Sequence, residues 1–305
     1  MVIVSGHNAQ LGGNMKITNK FNIPETIVNV VKRPTYSKGR ANLSVTQLIN
    51  SPKIVALSAK FEHEIEQDVS DMVWSVFGSA IHKVLEHGKA AGHIVEERLF
   101  TQMDGWAISG AVDLQIVSDA GIAIRDYKTT SAWAVINEKI EWEQQLNLYA
   151  WLVEKNKGIP ITDLAIVAII RDWSRREAAT REGYPEAPIK EIPIKLWPFE
   201  QREQFVLHRI AQHSACEFAM ETDSDLPDCS AEEMWEKPTT WAVKKKGGVR
   251  AKSVHTTEEH AKLALEKAGK EYDIEVRPGE RTRCASFCSV NTYCAQWRAY
   301  QGENE

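Results

Sequence analysis

Residues 121–130 read GIAIRDYKTT. Side chains on a strand alternate between faces, so Ile122, Ile124, Asp126 and Lys128 share one face and Ala123, Arg125 and Tyr127 the other. An apolar row thus ends in an acid and a base. Taken alone, such a tripeptide reads equally well as a strand emerging into solvent with a weak surface ion pair. The preceding segment, WAISGAVDLQIVSDAG over 106–121, shifts the balance. It reads as a second strand, with Val112, Leu114 and Ile116 on one face and Ala111, Asp113 and Gln115 on the other. The turn SDAG then folds the chain back. Two neighbouring strands each present one carboxylate, with a lysine beside the second.

Two convergent carboxylates bind a hard divalent cation such as Mg2+ or Mn2+ through oxygen. A cation held there polarises a phosphodiester and lowers the pKa of a water, while a lysine orients that water or stabilises developing negative charge. Asp113, Asp126 and Lys128 are therefore candidate catalytic residues.

Around this pair the chain alternates helix and strand. LSVTQLIN (43–50) begins a helix with Ser44 or Thr46 near its N-cap, and SDMVWSVFGSAIHKVLEHGKAAG (70–92) reads as a longer helix ending near Gly88 or Gly92. In EKIEWEQQLNLYAWLVEKNKG (138–158), Trp142, Leu146, Tyr149 and Leu152 fall at helical spacing before a stop at Gly158. ITDLAIVAII (161–170) is a continuous apolar run, the mark of a central strand covered on both faces. Residues 200–222 are helical again. These elements predict an α/β fold, a mixed central sheet flanked by helices. In the tail, residues 239–280 read strand, Gly-Gly turn, strand, helix, strand, a small ββαβ insertion whose helix starts at a capping box from Thr256 to Glu259. The expected organisation is an irregular arm over 1–43, a core over 44–234, the basic ββαβ subdomain over 235–280 and a cysteine-containing segment over 281–305.

With 305 residues and 43% hydrophobic content, the chain can bury a sizeable core. A net charge of -5 argues against a uniformly basic nucleic-acid coat, so any DNA contact must rest on local patches. No apolar run is long enough to span a bilayer, and the N-terminus lacks the pattern of a signal peptide, so no membrane association and a cytoplasmic location are expected. No GxxxxGK phosphate loop is present, which argues against a built-in helicase motor.

His82 and Glu86 lie four apart on one helix face, as do Gln145 and Tyr149. A lone helical histidine is more often structural, and a tyrosine in an amphipathic stripe beside a solvated glutamine is the plainer reading of the second pair. In combination, however, four pieces occur in order: Gly78 to His82, Gly110 to Asp113, Asp126-Tyr127-Lys128, and Gln145 to Tyr149. In this combination the chain resembles the RecB-like branch of the PD-(D/E)XK nuclease superfamily, which includes phage-encoded and CRISPR-associated members. The resemblance runs from about Gly78 to Tyr149 and resumes at the terminal cysteines. It implies a restriction-endonuclease-like core in which His82, Asp113 and Asp126 hold the metal with help from the Tyr127 carbonyl. It further implies that Lys128 positions the nucleophilic water, and that Gln145 and Tyr149 contact DNA or orient Lys128.

Cys284, Cys288 and Cys294 cluster near the end of a chain with five cysteines, a spacing that suggests a metal more than disulfides. Many RecB-like nucleases close with three such cysteines and one distant cysteine around a [4Fe-4S] cluster. Their fourth ligand precedes the histidine motif, where this chain has no cysteine; Cys216 or Cys229 are the substitutes. A Zn2+ site completed by histidine, or simply buried thiols, are the other readings. KKKGGVRAK contributes Lys244, Lys245, Lys246, Arg250 and Lys252. Such a run is usually a solvated hairpin tip, but in an acidic chain it is also a candidate phosphate-tracking element, with Trp241 nearby for stacking.

The reading implied is a metal-dependent DNA nuclease, an exonuclease on single-stranded ends in recombination or replication, with a recombination or single-strand-binding protein as partner. A structure-specific endonuclease and a DNA-binding or assembly protein with little activity are the alternatives.

Overall fold

The computed structural model describes residues 15–33, 38–88, 90–137 and 139–303. It divides into two compact units, Met1–Pro227 and Asp228–Glu305.

In the first unit the alternation read over 106–130 becomes an antiparallel pair, Trp106–Ser118 and Gly121–Thr130, joined by Asp119 and Ala120. Gly121 permits the return: its φ is +138°, and a Cβ there would come within 2.4 Å of the Pro160 carbonyl oxygen. Strand Ile161–Ile170 pairs parallel to Gly121–Thr130, and a parallel neighbour requires a long crossover. Helix Ile140–Lys157 supplies it and stops at Gly158, whose φ of 66° and ψ of 18° are left-handed. Ile189–Ile194 adds an antiparallel edge strand beside Ile161–Ile170. His93–Met103 pairs antiparallel with Trp106–Ser118, which also takes the two-residue strand Leu43–Ser44 in parallel. The result is the mixed α/β core expected from the sequence.

The crossover helix is buried over most of its length, and Leu146, Leu148, Trp151 and Leu152 are at 0% exposure. Gly110 allows that packing. A Cβ on it would sit 2.8 Å from both Tyr149 and Leu152, so the helix comes down on the Asp113-bearing strand at closer range than any larger residue allows. Helix Phe199–Glu221 adds Val206 and Ile210 to the same core. It also holds the short helix Val45–Ile49, because Arg209 and His213 both reach the Leu48 carbonyl. That short helix begins at a full capping box between Ser44 and Gln47. Helix Val69–Leu85, capped by Asp68, crosses Gly121–Thr130 where Gly78 faces the Thr129 hydroxyl at 3.3 Å from an ideal Cβ.

Two expectations change. Part of the arm is ordered: Lys16–Thr18 pairs with Glu66–Asp68, and helix Glu25–Val31 buries Val28 and Val31 against Val69. Regularly spaced Val28 and Val31 gave that helix its apolar stripe. The second unit covers residues 228–305. Its three-stranded sheet, ordered Ala251–His255, Thr240–Lys245, Tyr272–Arg277 with helix Glu258–Ala268, is the expected ββαβ element. The helix cap, however, is Thr257, whose hydroxyl accepts from the His260 amide.

Candidate active site

The sheet register lines up three acids. Pairs between His93–Met103 and Trp106–Ser118 follow Val95↔Leu114 and Glu97↔Val112, so Glu96 stands opposite Asp113. Continuing Leu114↔Arg125 by one residue puts Asp113 opposite Asp126. Glu96, Asp113 and Asp126 therefore form a row across three adjacent strands. Like charges directly opposite one another destabilise a sheet, and the backbone yields at this row. Glu96 adopts φ of +51°, a left-handed conformation rare for a non-glycine residue. On the other side the Tyr127 amide donates to Asp113 Oδ2 at 2.8 Å.

Two cationic groups answer the acids. His82 Nδ1 lies 3.2 Å from Glu96 Oε1 and 3.4 Å from Asp113 Oδ1, while its Nε2 lies 3.1 Å from the Tyr127 carbonyl oxygen. With both ring nitrogens facing oxygen, Asp113 first and then Glu96 push the His82 pKa up to about 10; a divalent cation among the same carboxylates would displace that proton and take the neutral ring as ligand. Lys128 Nζ sits 2.6 Å from Asp126 Oδ2. Asp126 is 1% exposed, and burial outweighs the lysine to push its carboxyl up to about 6.

Hard carboxylate oxygens, an imidazole and a peptide carbonyl facing one point suit a divalent cation. Among the described residues, the group of His, Cys, Asp or Glu ligand atoms lying within 4.8 Å of one another is His82, Glu96 and Asp113. The Tyr127 carbonyl adjoins it at His82, and Asp126 continues the row. The set fits Mg2+ or Mn2+. The structure thus brings together His82, Asp113 and the Tyr127 carbonyl, pairs Asp126 with Lys128, and adds Glu96. Sequence reasoning missed Glu96 because strand 93–103 was not read; its signal was an acid pair, Glu96-Glu97, interrupting an apolar run.

Gln145 and Tyr149 lie on the crossover helix, and the Gln145 amide donates to the Tyr149 hydroxyl at 2.9 Å. Both are buried, at 8% and 5% exposure, so the glutamine is not the solvated residue of the plainer reading.

Other candidates lie elsewhere. Cys216 is buried in helix Phe199–Glu221 of the first unit. Cys229, Cys284, Cys288 and Cys294 belong to the second. Burial first, then the neighbouring Cys288 and Cys294, push the Cys284 thiol up; burial does the same to Cys288. On the hairpin, Lys244 pairs with Glu275, Lys245 with Glu271 at 3.0 Å and Lys246 with Asp273 at 3.6 Å. Lys252 lies 4.8 Å over the Tyr272 ring. Arg250 is exposed beside them. Acids on and just before the paired strand Tyr272–Arg277 thus offset charge that the basic run displays in sequence.

A row of acids closed by a lysine two residues along the last strand, on a mixed sheet with a long crossover helix, defines a metal-dependent phosphodiesterase site. The chain belongs to the PD-(D/E)XK nuclease superfamily, whose family model matches residues 90–295. Comparison with curated proteins gives no match. Among solved structures, the chain is similar to the crystal structure of SSO0001, at 16% identity and a TM-score of 0.43, over 62% of this chain and 86% of that one. The superfamily is one of metal-dependent nucleases, so DNA is the substrate class. None of the helices among the described residues is long and apolar enough to cross a membrane.

Proposed function

We propose that this chain is an exonuclease of the RecB-like branch, acting on single-stranded DNA ends in recombination or replication. The observation that carries the nuclease part is the acid row Glu96–Asp113–Asp126 faced by His82 and Lys128. His82, Glu96, Asp113, Asp126 and the Tyr127 carbonyl would hold Mg2+ or Mn2+. When bound, that cation supplies Lewis-acid polarisation of the scissile phosphate and neutralises its charge. Lys128, a mobile ammonium anchored by Asp126, donates to the attacking water and to the oxygen on which charge develops. Water adds to phosphorus, one ester oxygen leaves, and no covalent enzyme intermediate forms. Asp113 keeps the Tyr127 amide, and hence its carbonyl, in place. The buried Gln145–Tyr149 bond fixes the helix face against the strand bearing Asp113. The hairpin with Lys244, Lys245, Lys246, Arg250 and Lys252 contributes affinity for phosphates, not chemistry.

The terminal cysteines form a separate metal site in this proposal, a [4Fe-4S] cluster on Cys284, Cys288, Cys294 and a fourth thiolate. Cys229 is favoured over Cys216 for that place. It lies in the same unit, and the Gln296 side chain clamps its backbone from both sides, accepting from its amide at 2.9 Å and donating to its carbonyl at 3.0 Å, two residues past Cys294.

The test is purified protein with Mg2+ or Mn2+ and end-labelled single-stranded, duplex and circular DNA. Metal-dependent shortening of linear single strands is expected. Cleavage of circles overturns the exonuclease reading, and inertness toward every DNA overturns the nuclease reading for this chain.

A further inference from the structure

We infer that Trp74, Phe77 and Arg171 form a stacking platform for unpaired bases beside the acid row. The inference rests on the nuclease reading and names how the site would take a single strand. Trp74 is 55% exposed and Phe77 40%, two large aromatic groups open to solvent on a helix whose one buried residue is Val69. They lie three residues apart on helix Val69–Leu85, so they share a face, with ring centroids 6.3 Å apart in an edge-to-face pair. The Arg171 guanidinium lies 4.3 Å over the Trp74 ring. No carboxylate pairs with Arg171 among the described residues.

Their place relative to the chemistry is fixed by backbone contacts. The same helix carries His82, which touches the Tyr127 carbonyl. One turn earlier Gly78 faces Thr129, and the Arg171 amide donates to the Thr130 carbonyl at 2.9 Å. From His82 toward the helix N-terminus, Phe77 and Trp74 therefore follow the catalytic strand past Lys128, roughly 8 and 12 Å along the axis at 1.5 Å per residue. An extended nucleic-acid strand covers that distance in one or two nucleotides.

The chemistry selects the occupant. An exposed indole and phenyl cost free energy in water and offer flat apolar faces, and an unpaired guanidinium offers charge to a phosphate. In duplex DNA every base is already stacked within the helix. Only a strand with free base faces satisfies both features, and base–aromatic stacking is sequence-tolerant.

Binding measured in chelator, where no cleavage occurs, tests this. The probes are labelled oligothymidylate and an abasic oligonucleotide of equal length, which carries the same phosphates without bases. The wild type should bind the thymidylate more tightly. A Trp74→Ala/Phe77→Ala variant should lose about fivefold or more in that affinity, the lower end for one stacked base, with abasic affinity and salt slope unchanged. Trp74→Phe should recover part of the loss, and Arg171→Ala should weaken both probes and lower the salt slope by about one. Equal binding of both probes by the wild type, no binding of either, or an undiminished base preference in the double variant overturns the platform. If that happens while the wild type still cleaves DNA with metal, the platform alone falls; a wild type inert toward all DNA removes the nuclease reading.

Discussion

Asp126 shows how much chemistry one buried carboxylate concentrates. It ends an apolar row, loses water to the fold, faces Asp113 across the strand pair and leans on Lys128 for its charge. Replacing Asp113 or Asp126 by Asn should abolish cleavage and weaken divalent-cation binding. Lys128→Ala should keep cation binding and lose roughly a hundredfold to ten-thousandfold in single-turnover rate, the range for one positioned proton-transferring group. Both Asn variants should remain folded, because each removes a buried acid from a row of like charges, whereas Lys128→Ala leaves the buried Asp126 without its counter-charge and should fold but melt lower. A Lys128→Ala variant cutting at the wild-type rate would return the motif to a structural ion pair. The sequence made these residues legible because charge inside a period-2 apolar run is conspicuous. Glu96 was not, since its recruitment depends on a left-handed backbone and a cross-strand register that exist only once three strands are assembled.

Whole elements were the most readable level, where burial and periodicity coincide. The crossover helix, the Ile161–Ile170 strand and the Gly158 stop follow directly from pattern. The helix Glu25–Val31 was hidden because its apolar residues, Ile27, Val28, Val30 and Val31, are β-branched and favour a strand, and the cap at Thr257 because two adjacent threonines compete for it. One element carries a pH dependence that the motifs do not announce. His213 on helix Phe199–Glu221 is 4% exposed, and burial lowers its pKa from 6.5 to about 4. The unfolded chain binds a proton below pH 6.5 that the folded chain refuses until about 4, so stability falls as pH drops through that window. At pH 5 the loss from this group is about 2 kcal/mol. Thermal melts at pH 7 and 5 should show a smaller acid-induced drop for His213→Gln than for the wild type; equal drops would assign the acid sensitivity elsewhere.

The molecule as a whole separates its chemistry by unit. The acid row and Cys216 belong to residues 1–227, and the basic hairpin and four cysteines to 228–305. Composition shows neither the division nor the ion pairs that offset the hairpin lysines, because those acids, Glu271, Asp273 and Glu275, lie far along the chain, at and just before strand Tyr272–Arg277. Anaerobic purification followed by iron, sulfide and zinc analysis should find a cysteine-bound metal. Cys229→Ser should release it, and Cys216→Ser should not. A well-folded protein free of iron and zinc would reduce the cysteines to buried thiols.

The acid row also makes the fold a reporter of its surroundings. Three carboxylates held abreast repel one another most when no divalent cation lies among them, so a cation that binds only the folded chain raises its stability by mass action. At a hundredfold excess over its dissociation constant the gain is about 2.7 kcal/mol, or roughly 5 to 10 °C in melting temperature for a unit of this size. Asp126→Asn should melt higher than the wild type in chelator and gain less from Mg2+. A stripped preparation would then be softer toward proteases as well as inactive, and its shelf life would track the free divalent concentration of the buffer.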